Sequence, residues 1–181
     1  MQKLISTAIL LAFAASALAV LPVPRKSSEF AIVEPSGKQT LLSSLKGKVV
    51  VVEFLMTNCP HCQRAARTFA TLYQELGPSG FQPIGIALEP KVTPRMVTDF
   101  AAEFGVTYVL GYSSPEAVDT YLGRSALERQ YMVPQIVVID RQGMIRAQSG
   151  PGGDPNLENE YYMRGLIDSL LKEGAQTGKT K

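Results

Sequence analysis

From Lys48 to Met56 the chain reads Lys-Val-Val-Val-Val-Glu-Phe-Leu-Met, a nearly continuous apolar run rich in valine. A strand packed on both faces reads this way, whereas a half-exposed strand alternates. The period then changes. After Cys59, the residues Cys62, Ala65, Ala66, Phe69, Leu72, Tyr73 and Leu76 recur at three- and four-residue spacing. That spacing predicts an amphipathic helix, stopped by Gly77-Pro78.

The same two periods organise the rest. Phe81 to Leu88 reads as a second central strand, weakened at its start by Pro83. Thr93-Pro94 suits a helix start, with Met96, Val97, Phe100, Ala101 and Phe104 as its buried stripe up to Gly105. Val106 to Leu110 reads as a short strand, and Ser114-Pro115-Glu116 opens a helix whose pattern continues past Gly123 to about Tyr131, in one piece or two. Gln135–Asp140 and Met144–Gln148 form a hairpin across Arg141-Gln142-Gly143, and Met163, Leu166, Ile167, Leu170 and Leu171 mark a terminal helix. Upstream, Phe30 to Val33 and Gln39 to Leu41 flank the turn Pro35-Ser36-Gly37-Lys38 as an N-terminal hairpin. Crossovers in the first half and a hairpin near the end predict an α/β fold with a mixed central sheet flanked by helices.

The first residues change the picture at the N-terminus. Lys3 precedes an apolar stretch ending in Ala17-Leu18-Ala19, the small-x-small pattern of a signal peptidase site. The expected division is a signal peptide over 1–19, a linker over 20–28 containing Pro22 and Pro24, one domain over 29–173 and a flexible tail over 174–181. The destination is then exported, periplasmic or otherwise extracytoplasmic. Membrane contact is expected only if the N-terminal segment stays uncleaved as an anchor. Of the 181 residues, 45% are hydrophobic and 19% charged, which suits a globular domain and excludes a disordered chain. The net charge is only +2 and the basic residues are scattered, so no nucleic-acid partner is expected.

The chemistry concentrates at one place. Cys59-Pro60-His61-Cys62 holds both cysteines and the only histidine of the chain, between the valine-rich strand and the helix. A bridge closing so short a loop removes little chain entropy and would be a poor structural staple. At a strand-to-helix junction the pair reads instead as a redox site, where one thiol attacks a disulfide and the other resolves it. Cys59, at the first turn, meets unpaired N–H groups and the helix dipole, which favour its thiolate and make it the nucleophile. Cys62, one turn on and more buried, is the resolving thiol. Pro60 suits the first turn, where its missing N–H has no partner to lose. His61 can direct a hydrogen bond or positive charge at the Cys59 sulfur, which would make the disulfide more oxidising than thioredoxin's, about −270 mV.

With Val-Val-Val-Glu-Phe ahead of Cys59-Pro60-His61-Cys62, and Met132-Val133-Pro134-Gln135-Ile136-Val137-Val138-Ile139-Asp140 downstream, the chain resembles the thioredoxin superfamily. It is most similar to the exported TlpA/ResA-like thiol–disulfide oxidoreductases, although its Pro-His dipeptide is the one typical of the DsbA oxidases. The resemblance implies a thioredoxin-like fold with an N-terminal hairpin and an extra strand–helix insertion. It also implies protein thiol or disulfide substrates and a separate redox partner, with no bound cofactor.

It further implies roles for two residue positions. Glu53 matches a buried acid that relays a proton to or from the second cysteine; the alternative is a carboxylate pointing to water, and alternation does not fix which face it occupies. Val133-Pro134 matches a cis-proline loop that faces the cysteines, presents backbone groups to substrate and keeps metal away. A zinc site needs more ligands than two cysteines and one histidine, and haem attachment needs histidine directly after the second cysteine. The rival class is a non-enzymatic metal carrier or thiol-based redox sensor built on the same pair.

Overall fold

The structure is a computed structural model that describes residues 21–124 and 132–176. The expected signal peptide through Ala19, the helical continuation to Tyr131 and the last residues of the tail lie outside the described residues.

In chain order the elements are β1 (Arg25–Lys26), β2 (Ala31–Val33), β3 (Gln39–Leu41), β4 (Val49–Leu55), α1 (Pro60–Leu76), β5 (Phe81–Ala87), α2 (Pro94–Phe104) and β6 (Val109–Tyr112). They continue with α3 (Pro115–Leu122), β7 (Gln135–Ile139), β8 (Met144–Gln148), α4 (Pro155–Glu158) and α5 (Glu160–Gln176). All eight strands join one sheet in the order β1-β8-β7-β4-β5-β6-β2-β3. The crossovers through α1 and α2 make β4, β5 and β6 parallel, while β7 runs antiparallel beside β4 and turns back into β8. The sheet is therefore mixed and flanked by helices, with the β2–β3 hairpin at one edge.

The two-sided burial expected of the valine run is seen at every residue of β4. Val49, Val51 and Leu55 pack with Cys62, Ala66 and Phe69 of α1, Phe100 of α2 and Ile167 of α5. Val50, Val52 and Phe54 pack on the opposite face with Phe30, Ile32, Val118, Tyr121 and Leu122. Glu53 belongs by alternation to the α1 face, a point the sequence left open because apolar residues mark both faces of the strand.

Three departures from the sequence reading have local causes. The expected linker contributes β1, whose Arg25 and Lys26 pair with Ile145 and Met144 and give β8 a neighbour on its outer side. The strand expected at Val106–Leu110 begins instead at Val109, because Gly105 takes a left-handed C-cap and Val106 N–H donates to Ala101 O in closing α2. Pro83 does not weaken β5, which stays regular for seven residues. By alternation its missing N–H faces the β6 side, where pairing starts only at Ile84. The helix after Ser114 ends at Leu122, with Gly123 in a left-handed cap.

Gly111 of β6 lies where β2 crosses closest. A Cβ there would sit 2.4 Å from Ile32 Cγ2 and 2.6 Å from the Val33 carbonyl oxygen, which is backbone and cannot swing aside. Gly111→Ala is expected to lower stability by about 1–3 kcal/mol, measured by denaturant unfolding.

Candidate active site

The sheet register brings two distant loops together. Phe54 pairs with Gln135, so the residues following β4 and the residues preceding β7 meet at the same end of the sheet. The first loop leads to Cys59, and the second is Met132-Val133-Pro134, with a cis Val133–Pro134 peptide bond.

Cys59 is the N-cap of α1, in extended backbone conformation, and Pro60 follows in the first turn. Its Sγ accepts the Cys62 N–H at 3.4 Å, and its thiol donates to the Val133 carbonyl at 3.5 Å. A sulfur in this position faces the unpaired N–H end of a seventeen-residue helix, an environment that favours negative charge. The preceding loop is held on both sides: Thr57 N–H donates to a Glu89 carboxylate oxygen, and Gln63 Nε2 donates to Thr57 O at 3.0 Å. Glu89 carried no motif in the sequence, and only its place just beyond β5 puts it beside this loop.

Cys62 is fully buried against the α1-face core, with Cys59 half-buried beside it; both are free thiols here. Burial, followed by the hydrogen bond with Cys59, pushes the Cys62 thiol strongly upwards, and the Glu53 charge adds to the same effect. The arrangement separates the two sulfurs chemically. One is reachable at the end of the helix; the other is sealed in the core and keeps its proton until something removes it.

Glu53 is completely buried in the middle of β4, and neither carboxylate oxygen has a hydrogen-bond partner. Burial first, then the charges of Cys59 and Glu158, hold its carboxyl well above the ordinary value of 4.5. The water-facing alternative is excluded by this burial. A carboxyl beside a buried thiol can receive a proton in its ionised form and give one up in its protonated form as sulfur chemistry proceeds.

His61 departs from the expectation that it turns to the Cys59 sulfur. Its Nδ1 lies 3.0 Å from Glu158 Oε2, and the hydrogen bonds of Cys59 Sγ go to Cys62 and Val133 instead. The imidazole points outwards from the first turn of α1, with its side chain 57% exposed, and reaches the carboxylate at the end of α4. Sequence reasoning missed Glu158 because α4 has only four residues, too short for a helical period, and lies 97 positions from His61. Among the described residues no cluster of three or more His, Cys, Asp or Glu side chains is placed to hold a metal ion.

A model of the Redoxin family matches residues 22–161. Protein DipZ of Mycobacterium tuberculosis (strain CDC 1551 / Oshkosh) is 31% identical over 137 residues, which are 74% of this chain and 19% of that protein. The chain thus spans about a fifth of the length of the curated relatives it matches. Among solved structures, a candidate protein disulfide isomerase from Bacteroides thetaiotaomicron is 28% identical, with a TM-score of 0.69 over 88% of this chain and 96% of that one. A thiol:disulfide interchange protein of the thioredoxin family from Chlorobium tepidum TLS, 24% identical, has the same fold with a TM-score of 0.65 over 83% of this chain and 98% of that one.

Proposed function

The chain belongs to the Redoxin family and has a thioredoxin-like fold, and from that premise we propose that it exchanges disulfides with protein thiols through Cys59 and Cys62. The observation that carries this reading is the asymmetry of the pair. Cys59 caps a helix N-terminus in reach of the Val133 carbonyl, while Cys62 is buried beside an unpaired acid.

In the reducing direction the Cys59 thiolate attacks one sulfur of a substrate disulfide. The substrate S–S bond breaks, a mixed disulfide forms, and the departing substrate thiolate takes up a proton. The ionised form of Glu53 then takes the proton of Cys62, whose thiolate attacks Cys59 Sγ. The Cys59–Cys62 disulfide forms, the second substrate sulfur leaves as a thiolate that takes up the proton held by Glu53, and two electrons have passed from the dithiol to the substrate. Run backwards, the same steps oxidise a substrate dithiol. A redox partner, itself a dithiol or disulfide, resets the pair after each turnover. An extended substrate segment would lie along the Val133-Pro134 loop, whose backbone already meets the Cys59 sulfur.

The test is turnover of a disulfide-bonded protein with glutathione as electron source. The reading expects acceleration that vanishes when either cysteine is replaced. Exchange no faster than with glutathione alone would refute it.

The N-terminal pattern supports export to an extracytoplasmic compartment. Among the described residues no helix is long and apolar enough to cross a membrane. Mass spectrometry of protein recovered from its native host should give an N-terminus at Val20. Recovery of intact Met1 in the membrane fraction would establish an anchor instead.

A further inference from the structure

The contact between His61 and Glu158 has no place in the exchange steps, yet it links the residue between the two cysteines to a separate element. His61 Nδ1 and Glu158 Oε2 are 3.0 Å apart across a cleft lined also by Arg64, Ala65, Pro155 and Asn159. The Glu158 side chain is only 24% exposed, and α4 is anchored beneath it by Leu157, which is buried in the same core as Cys62. Asp154 caps α4 by accepting the Asn156 N–H at 2.9 Å, and Glu158 N–H donates to Asp154 O at 3.2 Å. The carboxylate is therefore presented from a short, tied-down helix and not from a loose tail.

We propose that Glu158 is a positioning residue that holds His61 away from the Cys59 sulfur and thereby sets how oxidising the Cys59–Cys62 disulfide is. This inference rests on the thiol–disulfide reading above. A histidine donating to Cys59 would stabilise the thiolate and so favour the dithiol form. A carboxylate that accepts from Nδ1 takes that donor away from the sulfur. The other charged group lining the cleft is Arg64, one turn further along α1, and Glu53 lies behind it in the core. Replacing Glu158 with alanine removes the acceptor and frees the imidazole to turn towards Cys59.

The relevant equilibrium is protein disulfide plus two glutathione thiols giving protein dithiol plus glutathione disulfide. It is read by alkylating free thiols after equilibration in buffers of graded ratio. Glu158→Ala is expected to shift this equilibrium about tenfold towards the dithiol, equivalent to about 30 mV for a two-electron couple. The shift must pass through His61, so in a His61→Ala background the same substitution should move the equilibrium less than about threefold. Equal shifts in both backgrounds, or no shift in either, overturn the inference while leaving disulfide exchange intact. Failure of every variant and the wild type to exchange with glutathione overturns the functional reading as well.

A second measurement needs no variant. His61 is the only histidine in the sequence, so nitrogen-15 spectra of tag-free dithiol protein report its imidazole alone. A hydrogen-bonded, protonated Nδ1 is expected, and a neutral ring protonated only at Nε2 would contradict the assignment.

Discussion

Cys62→Ser is expected to leave Cys59 joined to its substrate in a mixed disulfide that accumulates and can be isolated, while Cys59→Ser forms no such adduct and loses exchange. The geometry makes the roles unequal. Cys59 Sγ is half-buried at the open end of α1 and accepts the Cys62 N–H at 3.4 Å, so a substrate sulfur can approach it. Cys62 is sealed in the core, with burial holding its proton in place, and cannot meet an external disulfide. Removing the attacking group should therefore cost about 10⁴-fold or more in rate, the scale on which enzymes lose activity with their nucleophile. Removing the resolver should spare the first step and block the second. Non-reducing electrophoresis with mass mapping of the adduct checks this, and trapping by Cys59→Ser in place of Cys62→Ser would reverse the assignment.

Glu53→Leu should give a more stable but slower protein. A carboxyl buried with both oxygens unpaired weakens the fold, and leucine fills a similar volume with no polar group to satisfy. The expected gain is about 1–3 kcal/mol in mildly alkaline buffer. The pH dependence has a definite sign. Burial, the Cys59 charge and the Glu158 charge raise the folded-state pKa above the ordinary 4.5, so between those two values the folded protein binds the extra proton. The contribution of Glu53 to stability is then fully present below 4.5 and is lost as pH rises through the folded value. Wild-type stability should decline over that window relative to Glu53→Leu, and the gap should close in acid. Glu53→Gln should slow exchange as much but gain less stability, because its amide stays unpaired. Loss of the proton acceptor for Cys62 should slow resolution by about 10²–10⁴-fold. Unfolding across pH together with quenched-flow kinetics measures both effects, and a Glu53→Leu protein that resolves mixed disulfides at the wild-type rate would remove Glu53 from the chemistry.

The parts of this site that were legible in the sequence are those written in short stretches. The valine run, the change to helical period and Cys59-Pro60-His61-Cys62 between them place the thiols at a strand-to-helix junction without reference to any contact. The position of Glu53 in the strand was equally visible, but its face was not, because a strand apolar on both sides offers no alternation to set a phase. The partner of His61 was hidden for a different reason. Glu158 belongs to a helix too short to show a period, and only the docking of α4 beside α1 brings it within 3.0 Å. At the sheet edge, two charged residues just after Pro24 gave no strand signal, and β1 exists because β8 offers its outer side. Val106 misled by being apolar for the needs of a helix cap and not of a strand. Local chemistry and burial patterns were readable; contacts set by the packing of short elements were not.

The most direct test of the account is a single transfer between defined molecules. Protein carrying the Cys59–Cys62 disulfide is mixed with a reduced two-cysteine peptide, acid-quenched at intervals and weighed by mass spectrometry. The account predicts that the peptide loses two hydrogens as the protein gains two, through a transient mixed disulfide mapped to Cys59. A Cys59–Cys62 pair that never forms a disulfide, or one that forms but transfers it to no peptide, would contradict it.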